Sequence, residues 1–430
     1  MKLQELELEN YRGFKKLKVS FHPELSVIIG ANGSGKTTVL DAASIAVGSF
    51  LMGFDTIPSR GISKEDAMNV SYDMGSTIDL QPQFPVIIRA NGGINSEALA
   101  WERTLTSSGG KTTVIGAKEL KELSIAYQER VRSGDKNLIL PIVSYYGTGR
   151  LWAQKKEKKS KEIRQLNSRT LGYLDCLDAE SNEKLMLNWF QNMTLKELQG
   201  KSTIPELEAV RKSIIKCYKL ITGYIDVKVE FNLDTHGIDL VYKETVDESY
   251  RRSPMKELSD GYKNTLSMIA DIAYRMAVLN PALLENVIEQ TPGVILIDEI
   301  DLHLHPKWQQ RILGDLKEIF PLVQFIVTTH APAVIHSVDK KSLLIFNDEG
   351  DLCEPNLQTY GKDVNAIMRE VMNVAERPKG VSEQFDLLYD LIEEGDLQGA
   401  EEILESLVKI VGNQDSEVVG ARTTLELEYL

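Results

Sequence analysis

At 430 residues, with 42% hydrophobic and 26% charged side chains, the chain is long enough for two or three globular units. Its net charge of −14 argues against a surface that binds nucleic acid everywhere, and its three cysteines, Cys176, Cys217 and Cys353, are too far apart for a zinc spacing or a disulfide framework. The longest uncharged apolar stretch, residues 42–54, is shorter than a membrane span, and the opening Met1-Lys-Leu-Gln-Glu-Leu-Glu lacks the apolar core of a signal peptide, so a cytoplasmic protein without a membrane partner is expected.

Residues 2–29 read as strands. Leu17, Val19 and Phe21 alternate with polar residues, and Leu25–Ile29 is a short buried run ending at Gly30. A helical pattern follows from Lys36 to about Phe54. Phe84–Arg89 and Ala98–Thr104 are β segments between Gly-rich turns, which predicts a small antiparallel lobe over 76–115. A polar helix at about 117–133 and an apolar strand at Leu138–Val143 come next. Residues 153–222 are charged and mainly helical, as in an inserted subdomain. They open on the basic run Lys155, Lys156, Lys158, Lys159, Lys161 and Arg164, either a solvated loop or a nucleic-acid contact. Ile225–Phe231 and Ile238–Tyr242 form a hairpin around Asp234-Thr-His-Gly237. Residues 294–346 alternate strand and helix, which predicts a parallel core sheet. Finally, 382–411 carries two amphipathic helical patterns joined at Gly395-Asp396, and Leu425, Leu427 and Tyr429 alternate with polar residues as a terminal strand would. These patterns divide the chain at 1–152, 153–222, 223–375 and 376–430.

Gly30-Ala-Asn-Gly-Ser-Gly-Lys-Thr37 matches the P-loop pattern Gly-x4-Gly-Lys-[Ser/Thr], between an apolar strand and a helical run. Gly30, Gly33 and Gly35 allow consecutive N–H groups, with those of Asn32, Ser34 and Thr38, to converge on phosphate at a helix N-terminus. Lys36 would reach the β and γ phosphates of ATP, and the Thr37 hydroxyl would bind Mg²⁺. Gly293-Val-Ile-Leu-Ile-Asp-Glu299 is an apolar strand ending in two acids. Asp298 can hold Mg²⁺, and Glu299 can orient or deprotonate the attacking water.

Leu258-Ser-Asp-Gly-Tyr262 resembles the ABC signature, with Ser259, Asp260 and Gly261 at the start of a helix that would face a partner subunit's γ-phosphate. Taken alone, it is equally an N-capped helix. Asp301-Leu-His-Leu-His-Pro306 resembles the D-loop, with Asp301 crossing a dimer interface, and Gln324-Phe-Ile-Val-Thr-Thr-His330 ends in a match to the switch histidine. No glutamine stands out as a Q-loop residue; Gln81 and Gln83 lie in about the right region. Arg12 and Phe14 match the Asn-x-Arg-x-Phe-like opening of SMC-type ATPases, where the Arg approaches nucleotide, and a strand-end surface Arg is the alternative. The fold class expected is α/β, an ABC-type P-loop ATPase with a mixed core sheet, an antiparallel β lobe, a helical insert and a helical C-terminal region.

Lys36 and Leu258 lie 222 positions apart, unlike the compact transporter subunits, and no long heptad run fills the gap. Tyr145-Tyr-Gly-Thr-Gly-Arg-Leu-Trp152, Asp298–Pro306 and Tyr360-Gly-Lys-Asp-Val-Asn365 resemble the OLD-related defence ATPases of bacteria, in particular the PtuA family of the Septu anti-phage system, also found with some retrons. That resemblance implies an ATPase using ATP and Mg²⁺, an ATP-sandwiched dimer or a larger assembly of it, and a separate HNH-type nuclease subunit (PtuB-like). No Toprim pattern follows His330 and no HNH histidine cluster occurs, so a nuclease is expected on another polypeptide. Two further readings remain: a DNA-repair or SMC-like ATPase, and an assembly scaffold held by ATP with little turnover.

Overall fold

The computed structural model describes residues 1–75, 77–94, 97–151, 168–178, 183–347 and 350–428. The basic run at 155–164 lies outside the described residues. The chain forms two compact units, Met1–Lys362 and Asp363–Leu430. Among the described residues no helix is long and apolar enough to cross a membrane.

The first unit opens with strands β1 (Lys2–Tyr11), β2 (Phe14–Ser20) and β3 (Leu25–Ile29), then helix α1 (Lys36–Gly48). Strands β4 (Asn69–Asp73), β5 (Ile78–Pro82), β6 (Val86–Ile94) and β7 (Glu97–Leu105) lead to α2 (Lys118–Arg132) and β8 (Ile142–Tyr146). The charged stretch holds α3 (Glu183–Gly200) and α4 (Pro205–Thr222), which starts with Pro and ends at Gly223 in the left-handed region. Strands β9 (Asp226–Asn232), β10 (Gly237–Lys243) and β11 (Arg251–Pro254) precede α5 (Asp260–Leu279) and α6 (Val287–Gln290). The remainder is β12 (Gly293–Ile297), α7 (Pro306–Gln309), α8 (Ile312–Ile319), β13 (Val323–Thr328), α9 (Pro332–Ile335), β14 (Leu343–Phe346) and β15 (Leu352–Cys353).

The core sheet runs in the order β15-β14-β3-β13-β12-β8 and is parallel except for β15. Every residue of β3, β8, β12 and β13 is buried, which is why these strands are mostly apolar on both faces rather than alternating, with Ser26, Ser144, Gln324 and Thr328 as the buried polar exceptions. A second, antiparallel sheet has the order β2-β1-β6-β7. The lobe expected over 76–115 is thus divided. β6 and β7 complete a sheet with β1 and β2, while β4 and β5 pair only with each other. The strand expected at Leu138–Val143 starts at Ile142 and runs on to Tyr146. Pro141 has no N–H for a ladder, and the Leu140 N–H goes to the Asn280 side chain at 2.8 Å.

The second unit contains α10 (Val364–Glu370), capped by the Asp363 carboxylate, then α11 (Lys379–Glu394), α12 (Leu397–Val411) and α13 (Ser416–Glu428). The terminal strand expected around Leu425 is a helix instead. Val418, Ala421 and Leu425, spaced by three and four, pack on Leu388, Leu404 and Leu407, and this face outweighs the local alternation. Arg377 ties the start of α13 to the bundle through Asp415 (2.7 Å) and Glu417 (2.8 Å).

Candidate functional site

Strand β3 delivers the chain to Gly30, and α1 carries it away from Lys36. Between them Gly33 and Gly35 have φ of 82° and 101°, a region that side chains disfavour. A Cβ at Gly35 would come within 2.4 Å of the Phe14 ring, which stacks on Phe346, so only glycine fits the turn. No side chain caps the start of α1, leaving its first N–H groups for an anion. The Ser34 hydroxyl is buried without a partner, and Lys36 Nζ donates to the carbonyls of Gly30 (2.9 Å) and Ala31 (2.8 Å). Burial lowers the pKa of this ammonium, while Asp298, Glu299 and Asp301 pull it upwards. A triphosphate would fit these groups, offering acceptors to the amides and the Ser34 hydroxyl and negative charge to Lys36. Asn32 and Gly33 are exposed at the tip, and Thr38 is half-buried on α1.

The acids arrive on β12, two strands from β3 across β13. Asp298 is buried, and its N–H donates to the Tyr146 carbonyl at 2.8 Å. Its Oδ2 accepts from Thr37 Oγ1 at 2.9 Å and its Oδ1 from Thr328 Oγ1 at 2.6 Å. Thr328 Oγ1 also accepts the Glu299 N–H at 2.7 Å, and the Thr328 carbonyl accepts from Ile300 at 3.0 Å. One threonine therefore clamps both acids, and it holds Glu299 at φ 49°, a left-handed conformation that costs a non-glycine residue about 1–3 kcal/mol. Nothing in its residue type singled Thr328 out; its position in Val-Thr-Thr-His was the available signal.

Asp301 Oδ1 accepts from Thr329 Oγ1 at 2.5 Å, so the D-loop carboxylate has a partner within its own chain. His330 follows directly. The parallel pairing of Thr328 with Ile28 sets it beside Gly30 at the ends of β13 and β3, half-buried. The Thr37 hydroxyl and Asp298 carboxylate form a pair of hard oxygen donors of the type Mg²⁺ takes. Among the described residues no cluster of three or more His, Cys, Asp or Glu could hold a metal ion.

Ser259 and Asp260 are exposed at the start of α5, and no side chain caps that helix. Gly261 is required: a Cβ there would come 2.6 Å from the His303 carbonyl. Tyr262 packs edge-on against Trp308 at 4.2 Å, fixing α5 to the D-loop segment.

Arg12 is held at the side of the P-loop helix. Its guanidinium donates to Asp41 on α1 (2.6 Å) and to Asp66 (2.8 Å), tying the β1–β2 turn to the P-loop helix. Gln81 and Gln83 sit on and just after β5, where Gln81 bonds to Asp79 and Gln83 to the Gln81 carbonyl. The segment that does run beside Asp298 is the end of β8. Tyr146 pairs with Ile297, and its carbonyl accepts the Asp298 N–H at 2.8 Å. Tyr146 is also the start of a buried network that the motif reading did not include. Its hydroxyl donates to Asp271 at 2.7 Å, and Arg275 Nε pairs with the same carboxylate at 2.7 Å. Arg275 also donates to the carbonyls of Gly172 (3.0 Å) and Leu174 (2.9 Å). Both acidic and basic members lie on α5, which links the helix that follows Ser259 to the strand beside Asp298.

A glycine-rich turn between a parallel strand and a helix, facing a strand-end acid bonded to the P-loop threonine, defines a P-loop nucleoside-triphosphatase fold. An AAA-domain model matches residues 5–222, half of the chain, and a second AAA-domain model matches 127–336; the chain belongs to the AAA-domain family. It is 27% identical to the "Retron Vc95 probable ATPase" of Vibrio cholerae serotype O1 biovar El Tor, over 89% of this chain and 81% of the relative. It is 25% identical to the "Septu protein PtuA" of Bacillus thuringiensis, over 87% of this chain and 85% of the relative. The resemblance to PtuA-type and retron-associated ATPases read from short motifs thus extends along most of the chain. A solved SMC head bound to the C-terminal winged-helix domain of ScpA aligns over 83% of this chain and 98% of that one, with a TM-score of 0.50 and 16% identity, a likeness of fold.

Proposed function

We propose that this chain is the ATP-binding and ATP-hydrolysing subunit of a bacterial anti-phage defence complex in the cytoplasm, acting as an ATP-sandwiched dimer and controlling a separate nuclease subunit of the HNH type. The observation that supports the ATPase reading is the bonded set Thr37–Asp298–Thr328–Glu299, which joins the P-loop threonine to both strand-end acids at the C-terminal ends of adjacent parallel strands. The defence assignment rests on the relatives named for retron and Septu systems. The nuclease partner rests on the family resemblance.

In this reading the P-loop amides and Lys36 hold the β and γ phosphates. Thr37 and Asp298 hold Mg²⁺, which when bound offsets phosphate charge. Glu299 accepts a proton from the attacking water, and His330 hydrogen-bonds that water or the γ-phosphate. Ser259 and Gly261 present an uncapped helix start to the γ-phosphate of the opposite subunit. Turnover needs both subunits.

Mixing Lys36→Ala and Ser259→Arg chains tests the composite site. Each parent is inactive, whereas a heterodimer restores one intact site and gives partial phosphate release. A mixture that associates but stays inactive rejects the sandwich. Steady-state assays with and without DNA separate a nucleic-acid-responsive ATPase from an assembly scaffold, which would turn over little ATP in both.

A further inference from the structure

Among the described residues the β4–β5 hairpin has no strand partner beyond itself, and an isolated two-stranded hairpin is marginally stable in water. It nevertheless exposes Tyr72, Met74, Ile78 and Leu80, with Ile78 72% accessible. Residues 69–82 contain no basic side chain and carry Asp73 and Asp79. The register pairs Asp73 directly with Ile78 and Ser71 with Leu80, so Ile78, Leu80 and Asp73 share one face. The base of the hairpin is fastened to the P-loop side of the molecule. Met68 N–H donates to the Asn10 carbonyl at 2.9 Å and Arg12 N–H to that of Asp66 at 2.7 Å, while the Arg12 head grips Asp41, one helical turn beyond Thr37.

The signature side carries a complementary feature. A cavity of about 120 Å³ lies between the end of α4, α5 and the α7–α8 segment, with Leu304, Trp308 and Ile312 as its apolar walls and Lys307 and Arg311 exposed around it. Thr265, in the second turn of α5, also lines it, and Trp308 is the residue packed on Tyr262. Asp315 is 3.5 Å from Arg311, which leaves the three charged side chains net positive. An apolar cavity of about 150 Å³ accepts benzene, so this one has room for a single branched aliphatic side chain.

We infer that in the dimer the β4–β5 hairpin of one protomer docks on the Trp308 cavity of a second copy, seating Ile78 in it and setting Asp73, on the same face, against Lys307 and Arg311. The inference rests on the proposed sandwich, which turns the P-loop side of each copy towards the signature side of the other. Two-fold symmetry then gives two hairpins and two cavities, each pair flanking one nucleotide. The hairpin becomes a latch that buries its own apolar face and holds Trp308, and through it the start of α5, in place.

Ile78 is exposed in the monomer, so Ile78→Asp leaves folding intact. Nucleotide affinity, measured with a fluorescent ATP analogue, stays within twofold of the unsubstituted chain. ATP-dependent dimerisation, measured by sedimentation in a Glu299→Gln background, weakens at least tenfold. Asp73→Lys and Lys307→Glu each weaken the dimer, and combining them restores part of the loss. With Cys353→Ser, Ile78→Cys on one chain and Arg311→Cys on another form an inter-chain disulfide that depends on ATP. Unchanged dimerisation of Ile78→Asp, or capture of a different protein by the hairpin with the dimer unaffected, overturns the inference alone. If the unsubstituted chain binds ATP and remains monomeric, the sandwich reading fails first and the latch fails with it.

Discussion

The Thr37 hydroxyl donates to the Asp298 carboxylate across 2.9 Å, joining two residues 261 positions apart in sequence. The contact exists because β3, β13 and β12 are adjacent parallel strands whose C-terminal ends reach the same level, where ligands of open α/β sheets bind. Thr328, on the strand between them, completes the bond set from behind.

Thr328→Val keeps the side chain's shape and removes the hydroxyl. Asp298 loses a donor and the Glu299 N–H loses its acceptor in a buried setting, so the unfolding free energy falls by about 1–3 kcal/mol. Released from its clamp, Glu299 leaves its φ of 49°, and kcat falls by a larger factor than ATP affinity. Denaturant titration and steady-state phosphate release check the two parts, and an undiminished kcat would show that other contacts hold Glu299.

Glu299→Gln retains the shape of the side chain but cannot accept a proton. ATP binding is kept and turnover drops about 10²–10⁴-fold. Single-turnover assays with labelled ATP measure the chemical step directly; wild-type turnover would move the role of base to another residue, with His330 the first to test.

Burial holds the Lys36 ammonium below its ordinary pKa of 10.5. Between the folded and unfolded values the unfolded chain binds more protons, so nucleotide-free stability rises with pH across that alkaline window. Lys36→Met abolishes the rise. Bound phosphate favours the charged ammonium, so nucleotide affinity moves the opposite way and falls as pH passes the folded value. Melting curves of both proteins from neutrality to pH 10.5, with nucleotide titrations at the same points, test both signs.

Arg275 is almost fully buried, 2.7 Å from Asp271, and its replacement by Ala leaves an uncompensated carboxylate beside Tyr146. Loss of one member of such a pair costs about 3–5 kcal/mol. Arg275→Met combined with Asp271→Leu removes both charges and recovers much of that loss. Urea unfolding of the single and double variants gives the comparison; equal destabilisation by both would mean that the carbonyl bonds of Arg275 to Gly172 and Leu174 dominate.

Chemistry that resides in contiguous backbone was legible without coordinates. The Gly30–Lys36 turn between β3 and α1 follows from its glycine spacing, and the placing of Asp298 and Glu299 at the end of β12 follows from an apolar run that stops at two acids. The two helical patterns of 382–411 were equally plain, because apolar spacing of three and four reports a buried stripe. Other features depend on which segments meet. Leu425 and Leu427 alternate locally as a strand would, yet Val418, Ala421 and Leu425 find their apolar partners on α11 and α12 only as a helix. Gln81 and Gln83 occupied a suitable place in the sequence, but the strand order brings the end of β8 beside Asp298 and leaves both glutamines with the β4–β5 hairpin. Thr328 acquires its role only when β13 is inserted between β3 and β12. Motif and periodicity record what a residue can do with its near neighbours, whereas sheet order is settled by burial and hydrogen bonding between segments hundreds of positions apart.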